Sequence, residues 1–234
     1  MILSRLVTTA LVLVALVPVV TAEDLRYPGD EQPVSAIVEA LSTKRPLALK
    51  PVGTSSVVFR MDLEGPIESA WKPRTKLHPQ GHLAEVAAFR IGRALGMDNV
   101  TPAVPRSLPL DMVRSLLGSN ASRWPEISQQ VLPDGDTLQG TAIYWIPDMH
   151  ELGLDTKEGA LRWSKWLAQD GSLPERDKLA SQAQDLSAML VFDYLIGNWD
   201  RFSGANAQGD HGERRVFVRD HNVAFAEPLP RQLH

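Results

Sequence analysis

Cysteine is absent from the 234 residues, which excludes a disulfide framework, a thiolate nucleophile and a thiolate zinc site. An excess of basic residues is also missing. With 24 Lys and Arg against 28 Asp and Glu, general nucleic-acid binding is a poor fit. No low-complexity tract or internal repeat stands out, which sets aside disordered and solenoid readings. His78 and His82 form the one His-x-x-x-His spacing, and Pro79 interrupts it, so a helical zinc site is not indicated. A Gly-x-Ser-x-Gly elbow is lacking too, which removes the serine hydrolase reading.

What remains is an ordinary globular composition, 44% hydrophobic and 22% charged, long enough for one large domain or a compact two-lobed one. Residues 1–22 carry one Arg, an apolar run and small residues at Val20 and Ala22. That pattern predicts a signal peptide cleaved after Ala22. The alternative is an uncleaved anchor, but the apolar run falls short of the roughly 20 residues a spanning helix needs. Cleavage removes one Arg and no acid, so the net charge of −4 becomes one unit more negative. An exported domain without cross-links must be held by its core, which suits a bacterial secreted or periplasmic protein with no membrane contact beyond its leader.

Along the mature chain, residues 23–46 read as a polar lead-in followed by a short helix over 34–41. Short β-like runs follow at 47–49, 56–61 and 67–72, with turns at Gly53 and Gly65-Pro66, the pattern of an antiparallel meander. The small residues Gly53, Thr54 and Ser55 form either an ordinary turn or a loop whose amides and hydroxyls sit over phosphates. Lys72 ends the third run just before Pro73. A strand-end lysine is usually solvated. The spacing next predicts an amphipathic helix over 82–97, with Leu83, Ala87, Ile91 and Leu95 on its inner face and Glu85 inside the apolar arc. An inward carboxylate needs a partner, and a lysine on the preceding strand would supply one. Its other reading is a helix-start acid favoured by the macrodipole. Residues 108–117 are expected to be helical, Trp124-Pro125 to lie in a loop, and 140–146 to form a strand ending near Tyr144 and Trp145. Those aromatics either pack the core or lead into backbone that meets an adenine ring. Trp163 and Trp166 mark a surface helix.

Residues 185–220 carry the chemistry. An apolar run over 185–196 predicts a helix buried on most sides, and it delivers Asn198, Trp199, Asp200 and Arg201 from a rigid support. Asn206 follows in a polar loop, and a short strand at 216–218 leads to Asp220. Each acid also has a plain reading, Asp200 as a loop cap and Asp220 as a strand-end acid in a salt bridge. Arg201 suits a structural ion pair.

The string Asp193-Tyr194-Leu195-Ile196-Gly197-Asn198-Trp199-Asp200-Arg201 resembles the catalytic loop of the atypical secretory-pathway kinases of the Golgi casein kinase and Four-jointed type. It is more distantly similar to HipA-type and type II phosphatidylinositol 4-kinase loops. Residues 218–225 resemble the group's metal-binding stretch, usually Asp-Asn-Gly, and Trp71-Lys72-Pro73 resembles its nucleotide-lysine strand. The resemblance implies an α+β, two-lobed protein-kinase-like fold. Its antiparallel-sheet N-lobe spans residues 47–146 and a small, shortened helical C-lobe spans 147–234. It implies a nucleotide site for ATP at Lys72, Glu85, Gly53, Thr54, Ser55, Tyr144 and Trp145, a base at Asp200, and Mg²⁺ or Mn²⁺ at Asp220 and Asn206. The expected activity is transfer of the ATP γ-phosphate to a hydroxyl of a protein or glycan; the alternative is a pseudokinase, a nucleotide- or partner-binding module on the same fold. Three departures accompany it. The metal-binding amide of the related lipid-kinase and HipA-type loops would fall at Ala205, with Asn206 one later, His221-Asn222 stands in place of Asn-Gly, and the chain ends at His234 with little further helical region.

Overall fold

A computed structural model describes residues 26–30, 32–53, 56–166, 168, 177–202, 206–212 and 214–226. The expected signal peptide, and Thr54 and Ser55 of the small-residue loop, lie outside the described residues.

Helix α1 (Val34–Thr43) precedes three strands, β1 (Pro46–Pro51), β2 (Phe59–Leu63) and β3 (Glu68–Pro73), joined as an antiparallel meander. Alternation of side chains builds this meander. Phe59, Met61 and Leu63 are buried on one face of β2, and Ser69, Trp71 and Pro73 are the buried positions of β3. Lys72 therefore belongs to the other, less buried set. Helix α2 (Gly81–Ala94) follows, then β4 (Ala103–Pro105), a two-stranded ribbon of β5 (Leu108–Pro109) and β6 (Thr137–Leu138) that encloses helices α3 (Leu110–Leu116) and α4 (Trp124–Ser128), and β7 (Gly140–Tyr144). Strand β7 runs between β3 and β4, closing a five-stranded sheet of order β1-β2-β3-β7-β4. All five of its residues are buried, as befits a strand with neighbours on both sides and covered faces. Trp124-Pro125 opens a short helix, contrary to the loop expected there, because proline is tolerated in a first helical turn.

The remainder carries α5 (Lys157–Trp166), α6 (Asp177–Ile196) and a small ribbon of β8 (His150–Glu151) with β9 (Gln208–Gly209). The strand expected at 216–218 is instead two single bridges, Val216 to Gly209 and Val218 to Val100. All three of its residues are buried. Among the described residues no helix is long and apolar enough to cross a membrane.

Two helical faces differ from the hydrophobic pattern. In α2 the buried residues are Gly81, His82, Ala84, Glu85, Val86, Ala88, Phe89 and Gly92, while Leu83, Ile91 and, just past the helix end, Leu95 are exposed. Small residues let this helix approach closely. A Cβ at Gly92 would lie 2.5 Å from Val100 Cγ2. Helix α6 was expected to be buried on most sides. It buries Ala183, Leu186, Met189, Phe192 and Ile196 but leaves Val191, Tyr194 and Leu195 about 60–70% exposed.

A close contact within the five-stranded sheet is at Gly140, where a Cβ would sit 2.7 Å from Trp71 Nε1 and 2.9 Å from the Lys72 carbonyl. Trp71 cannot easily yield, since its Nε1–H already donates to the Arg106 carbonyl at 2.7 Å. Gly140→Ala is expected to lower unfolding stability by about 1–3 kcal/mol through overpacking, measurable by urea denaturation.

Candidate active site

Lys72 is placed by β3 and its pairing with β7, where it sits opposite Thr141. Its Nζ donates to Glu85 Oε1 at 2.6 Å and to Asp220 Oδ1 at 2.7 Å. Glu85 is 2% exposed on α2, and its second oxygen, Oε2, faces His221 Nδ1 at 3.2 Å. The need to partner this carboxylate accounts for the rotation of α2: Glu85 turns inward, and larger apolar residues turn out. Burial would raise the Glu85 pKa, but the Lys72 charge and the His221 bond together hold it well below the ordinary glutamate value. Burial likewise opposes the Lys72 charge, yet Glu85 and Asp220 keep its pKa above the ordinary lysine value. Asp220 is pushed up by burial and brought below its ordinary value chiefly by Lys72, with a smaller contribution from Arg219, whose NH1 lies 3.6 Å from Asp220 Oδ2.

Of these groups, Lys72, Asp220 and Arg219 line a cleft of about 380 Å³, with Asn206 beside them on its polar side and Val58, Ala70, Ile146 and Met149 among its apolar residues. Gly53, Tyr144 and Trp145 line it as well. Gly53 is required by its turn: its N–H donates to the Val58 carbonyl, and a Cβ there would overlap the Ser56 carbonyl. Tyr144 is anchored in the core. Its ring packs edge-on to Tyr27 at 5.6 Å, and its hydroxyl bonds the Asp30 carboxylate. The backbone N–H groups of Tyr144 and Trp145 are taken by the Pro102 and Glu68 carbonyls.

The loop after α6 is organised by a buried ion pair. Arg201 grips Asp193 through Nε to Oδ2 at 2.7 Å and NH2 to Oδ1 at 2.9 Å, and both residues are almost fully buried. Asn198 Nδ2 donates to the same Asp193 carboxylate at 3.0 Å. The remaining Arg201 nitrogen, NH1, reaches the backbone carbonyls of Asn206 and Arg219. One guanidinium thereby fixes the loop carrying Asp200 against the segment carrying Asp220. Asn206 Nδ2 donates to the Asp200 carbonyl at 3.1 Å, which leaves Asn206 Oδ1 as the amide's acceptor atom.

Asp220 takes the left-handed backbone conformation, φ 62°, which Asp tolerates better than most residues. His221 and Asn222 have no positive φ. The missing glycine of the Asp-Asn-Gly pattern therefore costs no backbone strain here.

Asp220 and Asn206 offer hard oxygen donors of the kind a divalent cation of the Mg²⁺ or Mn²⁺ type takes. Among the described residues no group of three or more His, Asp or Glu is placed to hold a metal. A two-oxygen protein set that leaves other positions to phosphate and water suits such a cation. Three residues at the site had no role in the sequence reading. Arg219 and His221 adjoin Asp220 in the chain but have no motif signal of their own. His78 has its pKa lowered by burial and by Lys72, against the opposing pull of Asp200 and Asp220, so it lies within electrostatic reach of all three.

No protein-family model matches the chain. The glycosaminoglycan xylosylkinase of Homo sapiens is 26% identical over 246 aligned residues, covering 86% of this chain and 59% of that protein. The Danio rerio protein of the same name is 24% identical with the same coverage. The chain thus spans about 59% of the length of these curated relatives. Among solved structures, the Golgi casein kinase with Mn/ADP bound superposes with a TM-score of 0.57 at 17% identity, over 84% of this chain and 58% of that one. Hydra Fam20 with sugar gives a TM-score of 0.62 at 17% identity, over 91% and 74%. The fold is therefore the α+β, kinase-like fold of these proteins, and the sequence resemblance to atypical secretory-pathway kinases extends over most of the chain.

Two outcomes follow from the site's charges. Arg201→Ala leaves Asp193 buried without its cation and is expected to cost about 3–5 kcal/mol of unfolding stability, measured by urea denaturation. Glu85 has a folded pKa below its unfolded one. Its stabilisation is thus present above about pH 5 and lost as pH falls below the ordinary value of 4.5. Glu85→Gln should flatten this acid limb, seen as a smaller drop in melting temperature between about pH 5 and pH 3.

Proposed function

We propose that this chain is an exported, ATP-dependent, kinase-like phosphotransferase that moves the γ-phosphate to a hydroxyl of a protein or glycan. The observation that carries the reading is Lys72, shared between Glu85 on α2 and Asp220 at the wall of one cleft. Residues 47–146 form its N-lobe and 147–234 its C-lobe. The names of the relatives support a kinase activity, and the neighbour solved with Mn/ADP supports nucleotide and a Mn²⁺-type cation in such a cleft. Export rests on the residues 1–22 pattern and on the Golgi setting named for one neighbour.

Phosphoryl transfer asks mainly for positioning and charge neutralisation. Asp220 and Asn206 would hold the divalent cation, which supplies positive charge to the phosphate oxygens when bound. Lys72, oriented by Glu85, neutralises the phosphates that are not transferred. The apolar wall of Val58, Ala70, Ile146 and Met149 takes the base. Asp200 accepts the proton of the acceptor hydroxyl as its oxygen attacks phosphorus; the bond to the ADP oxygen breaks, and a phosphate monoester and ADP leave.

Asp200→Ala is expected to lower turnover by about 10²–10⁴-fold while sparing nucleotide affinity. Asp220→Ala should abolish the metal-dependent part of ADP binding. Thermal shift with ADP and Mn²⁺ or Mg²⁺, followed by an ATP consumption assay, checks both. Nucleotide binding with background turnover in wild type and both variants would instead indicate a non-catalytic module on the same fold. The amide at Asn206, one position later than in the related kinase loops, is the observation that favours that second reading.

A further inference from the structure

His221 directly follows the proposed metal ligand and has no part in the chemistry above, yet it is 1% exposed. Its Nδ1 lies 3.2 Å from Glu85 Oε2. Facing a carboxylate, Nδ1 must carry the proton and donate. Nε2 has no hydrogen-bond partner among the described residues, so within them the imidazole has one polar engagement, and that is Glu85. The ring meets Phe192 of α6 edge-on, with centroids 6.0 Å apart. His221 thus touches α2 and α6 from the segment that carries Asp220.

We infer that His221 is a positioning residue for nucleotide binding: by holding Glu85 Oε2, it allows Lys72 to leave Asp220 for the phosphates without losing its seat against α2. The inference rests on the proposed nucleotide site. Lys72 has three claimants, the observed carboxylates of Glu85 and Asp220 and the incoming phosphate. Glu85 is buried with two oxygens, one satisfied by Lys72 and one by His221. If the His221 donor were removed, Oε2 would be left buried and unsatisfied, a costly state. The carboxylate would then relieve itself by drawing Lys72 fully onto Glu85 or by shifting α2. Either response takes the Lys72 ammonium away from the phosphates. The bond also makes the position of Glu85 depend on the segment that presents Asp220, so the lysine and metal-ligand sides of the cleft are assembled together.

His221→Phe keeps the aromatic ring beside Phe192 and removes the donor. His221→Asn places an amide N–H close to where Nδ1 stands. Calorimetric titration of each folded full-length variant with ADP and Mn²⁺ is the test, with melting temperatures measured in parallel. The expected result is about tenfold weaker ADP binding for His221→Phe and affinity within about threefold of wild type for His221→Asn. A lower melting temperature for His221→Phe with unchanged ADP affinity would overturn the inference, leaving a packing role only. Equal weakening in both variants would also overturn it, because the N–H would then not be the relevant feature. If His221→Phe does not fold, His221→Leu, which likewise has no donor, takes its place against His221→Asn under the same criteria. Failure of wild type to bind ADP sinks the nucleotide site itself, an outcome distinct from wild-type binding that is indifferent to residue 221.

Discussion

The buried contact between Arg201 and Asp193 is the constraint on which the site depends. A bidentate guanidinium–carboxylate pair removed from water has no tolerance for partial formation, so Arg201 stays where both its contacts are made. Its third nitrogen, NH1, then meets the carbonyls of Asn206 and Arg219. Those carbonyls belong to the residues flanking the loop and Asp220. The segment leading to Asp220 is not held by regular strand pairing, since Val216 and Val218 make only single bridges. Side-chain hydrogen bonds do the work that a sheet would do elsewhere.

On the other side of the cleft, charge decides geometry. Lys72 and Arg219 balance Glu85 and Asp220 within a few ångströms, and His221 adds a hydrogen-bond donor. The arrangement explains why α2 presents Glu85 with Ala84, Ala88 and Gly92 to the interior and leaves Leu83 and Leu95 outside. Small residues allow close approach, and the ion pair fixes the rotation. The outer face of α6 is the counterpart, with Val191, Tyr194 and Leu195 exposed despite an apolar sequence.

Several elements were legible from local pattern. Alternation marked β2 and β3, Gly and Pro marked their ends, and the string from Asp193 to Arg201 stood out as a motif. Arg201 read correctly as an ion-pairing residue because its planar fork suits a carboxylate. The inner face of α2 was misread, since hydrophobic periodicity ranks Leu above Glu and knows nothing of a lysine on a neighbouring strand. The burial of α6 was overestimated for a related reason: an apolar surface states a preference, and neighbours decide whether it is met. His221 looked like a defect in a glycine-containing pattern. The positive φ falls on Asp220 instead, and His221 spends its N–H on Glu85.

By itself the sequence determined the element types of the sheet and main helices, the absence of thiol chemistry, and which acids and amide follow the long helix. These are local properties, set by side-chain period, turn chemistry and residue identity. Only the tertiary structure decided that Lys72, Glu85 and Asp220 share hydrogen bonds across as many as 148 positions of sequence, and that one arginine ties two loops together. The reason is physical. A buried charge is tolerable only beside its partner, and which partner is near follows from how strands and helices pack, not from the order in which residues are joined.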